Sequence, residues 1–210
     1  VTALPAPRAV KRPRPRPRKS DVTRHKILDA SAKLFRERGF SATTLRQIAS
    51  RAKIKAGSVY YYFDSKSQIL DEVLKIGIKV VFEAVEKAVD ALPENATGRT
   101  RLEAAVAAHL HTLLRYSDYT SANIRIFGQV PRTSQNRNRA IRRTYAEYWN
   151  GLLQYAKDRG EIGPDADLSL VRLFLLGSVN WSVEWYDPKK KSTEFLAKKF
   201  CNILFEGIGG

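Results

Sequence analysis

Hydrophobic positions recur at intervals of three and four along most of the chain, and no segment sustains the period-two alternation of a half-buried strand. The pattern predicts an all-α protein of about nine helices. A first helix opens at Ser20 or Asp21, keeps Ile27, Ala30, Ser31, Leu34 and Phe35 on one face, and stops at Gly39. Thr43 is placed to cap a short second helix that turns Leu45, Ile48, Ala49 and Ala52 inward. A tight turn at Lys53 and Ile54 leads into a third helix from about Lys55 to Tyr62. Ser65 caps a long fourth helix running toward Leu92, where Pro93 and Gly98 break it. Its apolar residues, from Ile69 to Ala88, cover more than one face, which suits a helix buried between two packed units. Five further helices are expected over about 99–117, 121–128, 133–159, 166–186 and 192–206, separated by Asn-, Gly- and Pro-containing breaks.

One stretch interrupts this pattern. From Val1 to Lys19 the chain is low-complexity and ends in alternating prolines and cations, Lys11 to Lys19. Alternating proline removes donors and offers no packing face, so residues 1–20 are expected to form an extended, disordered basic arm. Its cations can follow phosphates or enter a minor groove, or form only a solvated tail. The arm lacks the central glycine of an AT-hook. The charge is lopsided beyond the arm as well. Residues 1–75 hold 18 Lys/Arg against 6 Asp/Glu, a balance of +12, while the remaining 135 residues carry only +4. A basic third on a nearly neutral remainder points to a polyanion-binding end and a second end with another task. The expected division is the arm over 1–20, a basic helical unit over 21–66, and a larger, nearly neutral helical remainder over 67–210.

Composition narrows the class. No apolar run approaches the roughly 20 residues needed to span a bilayer, so no membrane partner is expected. One cysteine, Cys201, forms neither an internal disulfide nor a metal-type cluster. The simplest expectation is a cytoplasmic protein. His109 and His111, two residues apart, point to different helix faces and make a poor metal pair. No paired carboxylates, nucleophile–base pair or phosphate-cradling glycine loop is present, so neither a catalytic residue, a metal nor a cofactor is expected.

The second and third helices carry the clearest chemistry. Two short helices joined by a tight turn, behind a supporting helix, form the unit that lays its third helix into a major groove. Thr43 and Thr44 can set hydroxyls and first-turn amides against phosphate. Arg46 is long enough to reach a base edge and suits guanine. Lys55 adds a cation to this face. Ala56, Gly57 and Ser58 keep the front of the third helix slim, and Tyr60 and Tyr61 offer hydroxyls to phosphate and ring faces to thymine methyls. Lys66 stands ready for a backbone contact, whereas Leu45, Ile48, Val59 and Phe63 belong to the core.

The runs Thr43–Ala49 and Gly57–Lys66, within a match over about residues 22–72, resemble the amino-terminal domain of the TetR/AcrR regulators. The resemblance implies a dimeric, ligand-responsive transcriptional repressor in which Arg46, Ser58, Tyr60, Tyr61 and Lys66 face DNA. Three positions depart from the family pattern. Lys53 replaces the usual turn glycine and must bear a positive φ, Lys55 replaces a capping serine, and Tyr62 replaces a histidine. An altered operator preference is expected.

Behind this unit the chain is apolar and aromatic. Phe82, Phe127, Tyr148, Trp149, Trp181 and Trp185 either line an effector pocket or fill a core, and the resemblance favours the pocket. The segments Glu161–Asp167 and Trp181–Tyr186 look similar to regulators of lipid and sterol degradation that respond to acyl-CoA thioesters. Arg137, Arg139, Arg142 and Arg143 either face the phosphates of such a ligand or form an exposed basic face. The last two helices carry stripes at Leu170, Phe174, Leu175, Gly177 and Ser178 and at Phe195, Leu196, Phe200, Ile203 and Leu204. These either close a two-fold homodimer or serve the monomer's own core. The expected function is a repressor released from a palindromic operator by an acyl-CoA or other apolar small molecule. An architectural DNA-coating protein is the alternative.

Overall fold

The computed structural model describes residues 19–116 and 118–207, and the expectation for the basic arm falls outside them except at Lys19 and Ser20, which open the first helix and are not extended. Among the described residues there are ten α-helices and no strand. The first four are α1 (Lys19–Arg38), α2 (Leu45–Ala52), α3 (Ala56–Tyr62) and α4 (Lys66–Asp90). Then follow α5 (Gly98–His111), a π-helical turn over Thr112–Tyr116, α6 (Asp118–Arg125) and a 3₁₀ turn over Phe127–Gln129. The chain closes with α7 (Arg132–Arg137), α8 (Arg139–Asp158), α9 (Leu168–Trp185) and α10 (Thr193–Glu206).

Three expectations change. Thr44, not Thr43, caps α2: its hydroxyl accepts from Gln47 N at 3.2 Å while the Gln47 amide returns the bond to Thr44 N at 2.8 Å. A capping box needs Gln or Glu three residues after the cap, and only Thr44 has that spacing. Thr43 is buried, its hydroxyl turned onto the Gly39 carbonyl at 2.8 Å. The single helix expected over 133–159 is two helices, because the buried Asn138 folds its amide back onto the Ser134 carbonyl at 3.1 Å. The helix expected over 121–128 begins earlier, at Asp118, after the π turn.

Two hydrophobic cores meet within α4. The first joins Ile27, Phe35, Ile48, Val59 and Phe63 to Ile69, Leu70, Val73 and Leu74 of α4, and takes in Ala122, Ile126 and Val130. The second runs from Ile78 along the rest of α4 to α5, α8, α9 and α10 around the fully buried Trp149. Between them lies Gly77, where α4 and α6 touch backbone to side chain. A Cβ there would sit 2.3 Å from Asn123 Nδ2 and 2.5 Å from the Tyr119 carbonyl oxygen. Only glycine allows that approach.

Candidate DNA-reading head and cavity

The turn between α2 and α3 holds Lys53 at φ 56°, and Lys53 is the one non-glycine residue with positive φ among the described residues. Its amide bonds the Ser50 carbonyl at 3.1 Å, which reverses the chain and sets α3 across α2. Lys55 occupies the N-cap of α3 without a side-chain bond. Val59 and Phe63 anchor α3 in the core, so its other face is outward. Ala56 and Gly57 are exposed, Ser58 is half-buried, and Tyr60 and Tyr61 stand 62% and 82% exposed. Tyr61 is held edge-on to Tyr62 with ring centroids 5.0 Å apart. Thr44 and Arg46 are exposed at the front of α2, and no hydrogen bond or ion pair is seen for the Arg46 side chain among the described residues. Nearby, Arg51 is engaged with Glu37 at 2.8 Å, and that hydrogen bond keeps the Glu37 carboxyl below its ordinary value.

Lys66 serves the inside of this head. Its ammonium donates to the Phe40 and Thr43 carbonyls at 2.8 and 2.7 Å and lies 4.3 Å from the Phe40 ring centroid. Burial lowers its pKa. Two of its three donors thus tie the α1–α2 loop to the start of α4, which leaves one toward Ser41 O at 3.5 Å.

A cavity of about 170 Å³ opens in the second layer, walled by α4, α5, α6, α8 and α9. Its apolar lining includes Ile78, Val81 and Leu176, and its polar lining includes His109, Asn123, Arg142, Arg172 and Asn180. His109 is fully enclosed, with Nδ1 2.9 Å from the Tyr145 hydroxyl and Nε2 3.0 Å from Asn180 Oδ1. Burial holds its imidazole down to about 4. A neutral ring therefore accepts from Tyr145 and donates to Asn180, and burial pushes the Tyr145 phenol up. Arg142 donates to Asn123 Oδ1 at 2.9 Å, and burial lowers its pKa. Arg172 donates through Nε to Asn150 at 2.8 Å.

The aromatic residues expected in a pocket lie elsewhere. Phe82 and Trp149 sit one layer behind the wall, against Tyr145 at 5.2 and 6.1 Å between ring centroids, and Tyr148 packs on Phe82 at 5.3 Å. Trp181 and Trp185 face out from α9, Trp181 being 65% exposed, and neither lines the cavity. The Phe127 side chain lies outside the described residues. Of the four arginines, Arg142 alone lines the cavity. Arg137 pairs with Asp71 at 2.6 Å, Arg143 with Glu147 at 2.7 Å, and Arg139 bonds Asn136 at 3.0 Å. Sequence reading missed Arg172 and Asn180, although they stand eight residues apart, and so on one face, of an otherwise apolar helix.

Helix α6 touches both sites. Thr120, Asn123 and Ile124 face the cavity. Ala122 and Ile126 enter the head's core, Tyr119 donates to Asp29 of α1 at 2.6 Å, and Asp118 pairs with Arg36 at 2.9 Å. Beyond α6, Gln129 accepts from Ser41 N at 3.3 Å, beside Gly39.

A helix-turn-helix with an exposed Arg- and Tyr-bearing reading face, carried on a larger helical body, defines a DNA-binding transcription regulator. Residues 27–73 match the family profile for bacterial regulatory proteins of the tetR family, and residues 95–208 match the tetracyclin repressor-like, C-terminal domain. The chain belongs to the TetR family of transcriptional regulators. It is 30% identical over 191 residues to the HTH-type transcriptional repressor KstR2 of Rhodococcus jostii, covering 88% of this chain and 90% of that one. Two solved structures share the fold. AibR in complex with isovaleryl coenzyme A and operator DNA gives a TM-score of 0.77 at 22% identity, over 87% of this chain and 98% of that one. FadR from Bacillus subtilis in complex with stearoyl-CoA gives 0.73 at 22% identity, over 88% of this chain and 98% of that one. No helix among the described residues is long and apolar enough to cross a membrane.

Proposed function

We propose that this regulator is a homodimeric repressor that holds a palindromic operator until an acyl-CoA thioester enters its cavity. The observation that carries the reading is the double role of α6, one face of which walls the cavity while the other is bonded to the reading head. A ligand that spreads α4 from α6 moves Tyr119, Asp118 and Gln129, and with them α1. Ligands shift such an equilibrium by the difference in their affinity for the two states. The CoA class comes from the solved relatives with isovaleryl and stearoyl thioesters.

In this reading Arg46 meets a base edge. Thr44, Ser58, Tyr60 and Tyr61 position the head on the backbone, Lys55 adds charge, and Ala56 and Gly57 let α3 approach the groove closely. All three Lys66 donors are bonded within the head, and a phosphate contact would take the 3.5 Å one from Ser41 O. Leu170, Leu173, Phe174 and Trp181 form an exposed apolar stripe along α9, joined by Phe195 and Ile203 of α10, and a second copy of the chain covers it. Operator selection from random duplexes tests the reading. It should return a two-fold site, bound with at least about a hundredfold preference over random DNA, and a CoA thioester should release it. Equal, steeply salt-dependent binding to every duplex would favour an architectural protein instead.

A further inference from the structure

The second layer holds a row of three polar side chains whose hydrogens can be counted. The Tyr145 phenol, the His109 imidazole and the Asn180 amide come from α8, α5 and α9, and they bond in that order at 2.9 and 3.0 Å. A neutral imidazole carries one N–H, so the row runs in one of two directions. With the hydrogen on Nδ1, the Tyr145 hydroxyl would only accept. Its own hydrogen would then meet no acceptor, since among the described residues that phenol bonds His109 and nothing else. Leaving a buried donor unmade is the costly arrangement. The hydrogen therefore sits on Nε2, and Tyr145 donates to Nδ1. Nε2 can then meet only an acceptor, which holds Asn180 Oδ1 toward the ring.

The consequence lies at the other end of the amide. Asn180 is half-buried and lines the cavity, and with its oxygen held by His109 its NH2 group is turned away from the ring. No acceptor among the described residues bonds that nitrogen. The cavity opens to solvent, so water satisfies the amide while the site is empty. A ligand that covers Asn180 displaces this water and must return an acceptor in its place. Leu176, one turn earlier on α9, and Ile78 and Val81 of α4 share the cavity and offer only hydrocarbon. An alkyl chain laid over Asn180 leaves the donor unmade, whereas a carbonyl oxygen completes it.

We infer that the thioester carbonyl of the effector accepts a hydrogen bond from the Asn180 amide, and that His109 is the positioning residue that keeps this donor turned to the cavity. The inference rests on the reading of this cavity as an acyl-CoA site. A plain acyl chain carries no acceptor of its own, so the carbonyl at its head is the group that suits Asn180. The contact then sets the register of the ligand, with the thioester at Asn180 and the chain beside Ile78, Val81 and Leu176.

The test compares each thioester with the thioether that lacks only its carbonyl oxygen, titrated into the full chain by calorimetry. Isovaleryl-CoA is paired with S-isopentyl-CoA, and stearoyl-CoA with S-octadecyl-CoA. The thioester should bind more tightly by about tenfold or more in at least one pair. Asn180→Asp keeps an acceptor for His109 but removes the amide donors, and should cut the preference below about twofold. His109→Leu should do the same, because the amide is then free to turn. His109→Gln should keep the preference, since its amide can accept from Tyr145 and donate to Asn180. Equal binding within both pairs would overturn the inference and leave the CoA reading intact. A preference that survives Asn180→Asp or His109→Leu would overturn it as well. Absence of binding by all four ligands would overturn both. Should the variants fail to fold, imidazole nitrogen NMR of the unaltered chain decides alongside the two pairs: the hydrogen of His109 is expected on Nε2, and finding it on Nδ1 would overturn the inference.

Discussion

At the scale of single residues, two side chains hold states that their surroundings impose. Lys53 sits at φ 56°, where an L-residue suffers contact between Cβ and backbone. Lys53→Gly removes that contact at the cost of a looser unfolded chain, and should raise stability by about 0.5–1 kcal/mol in a urea melt. His109 is enclosed and stays neutral down to about 4, well below the free imidazole. Since the folded value is the depressed one, stability is complete above about pH 6.5 and is lost as pH falls toward 4, up to about 3 kcal/mol. Melts at stepwise pH should show this loss, and His109→Gln, which is neutral throughout, should flatten the slope. The positive φ at Lys53 was legible from the sequence, because the resemblance puts a glycine there. The position of Lys66 was not. A lysine at the start of a helix looks like a phosphate contact until its two carbonyl acceptors are placed beside it.

At the scale of elements, the proposed coupling runs through the contact between α4 and α6. Gly77→Ala would drive a methyl into Asn123 and the Tyr119 carbonyl. It should cost about 1–3 kcal/mol as overpacking and also weaken operator affinity, because Tyr119 and Asp118 hold α1. Equal affinity per folded molecule in a gel shift would show that α6 does not position the head. Helix periodicity made most elements readable, down to the cap at Ser65. It could not find the break at Asn138 or the π turn, since both depend on where a single amide or hydroxyl bonds in three dimensions. The cavity wall was illegible for the same reason, because its polar residues come from four helices. Aromatic content directed attention to Trp181 and Trp185, which face outward, whereas the polar groups on the cavity wall include two Arg, a His and two Asn.

At the scale of the molecule, the exposed apolar face of α9 is where the proposed homodimer would close. Phe174 stands 60% exposed within the stripe that includes Leu170 and Trp181. Phe174→Glu should give a monomer in analytical ultracentrifugation. It should also weaken operator binding by about two orders of magnitude, because the second head no longer binds at the high local concentration supplied by the first. A variant that stayed dimeric would place the interface elsewhere. The shared core has a further consequence for anyone who would treat the head as an interchangeable part. Ala122, Ile126 and Val130 fill the same core as Phe35 and Val59, so the DNA reader does not end where α3 ends. A graft cut at residue 66 would seat a foreign α6 against α1, with mismatched side chains where Tyr119 meets Asp29. Sensors built by exchanging heads between relatives must therefore carry the α6 face along, or redesign it to match the new α1.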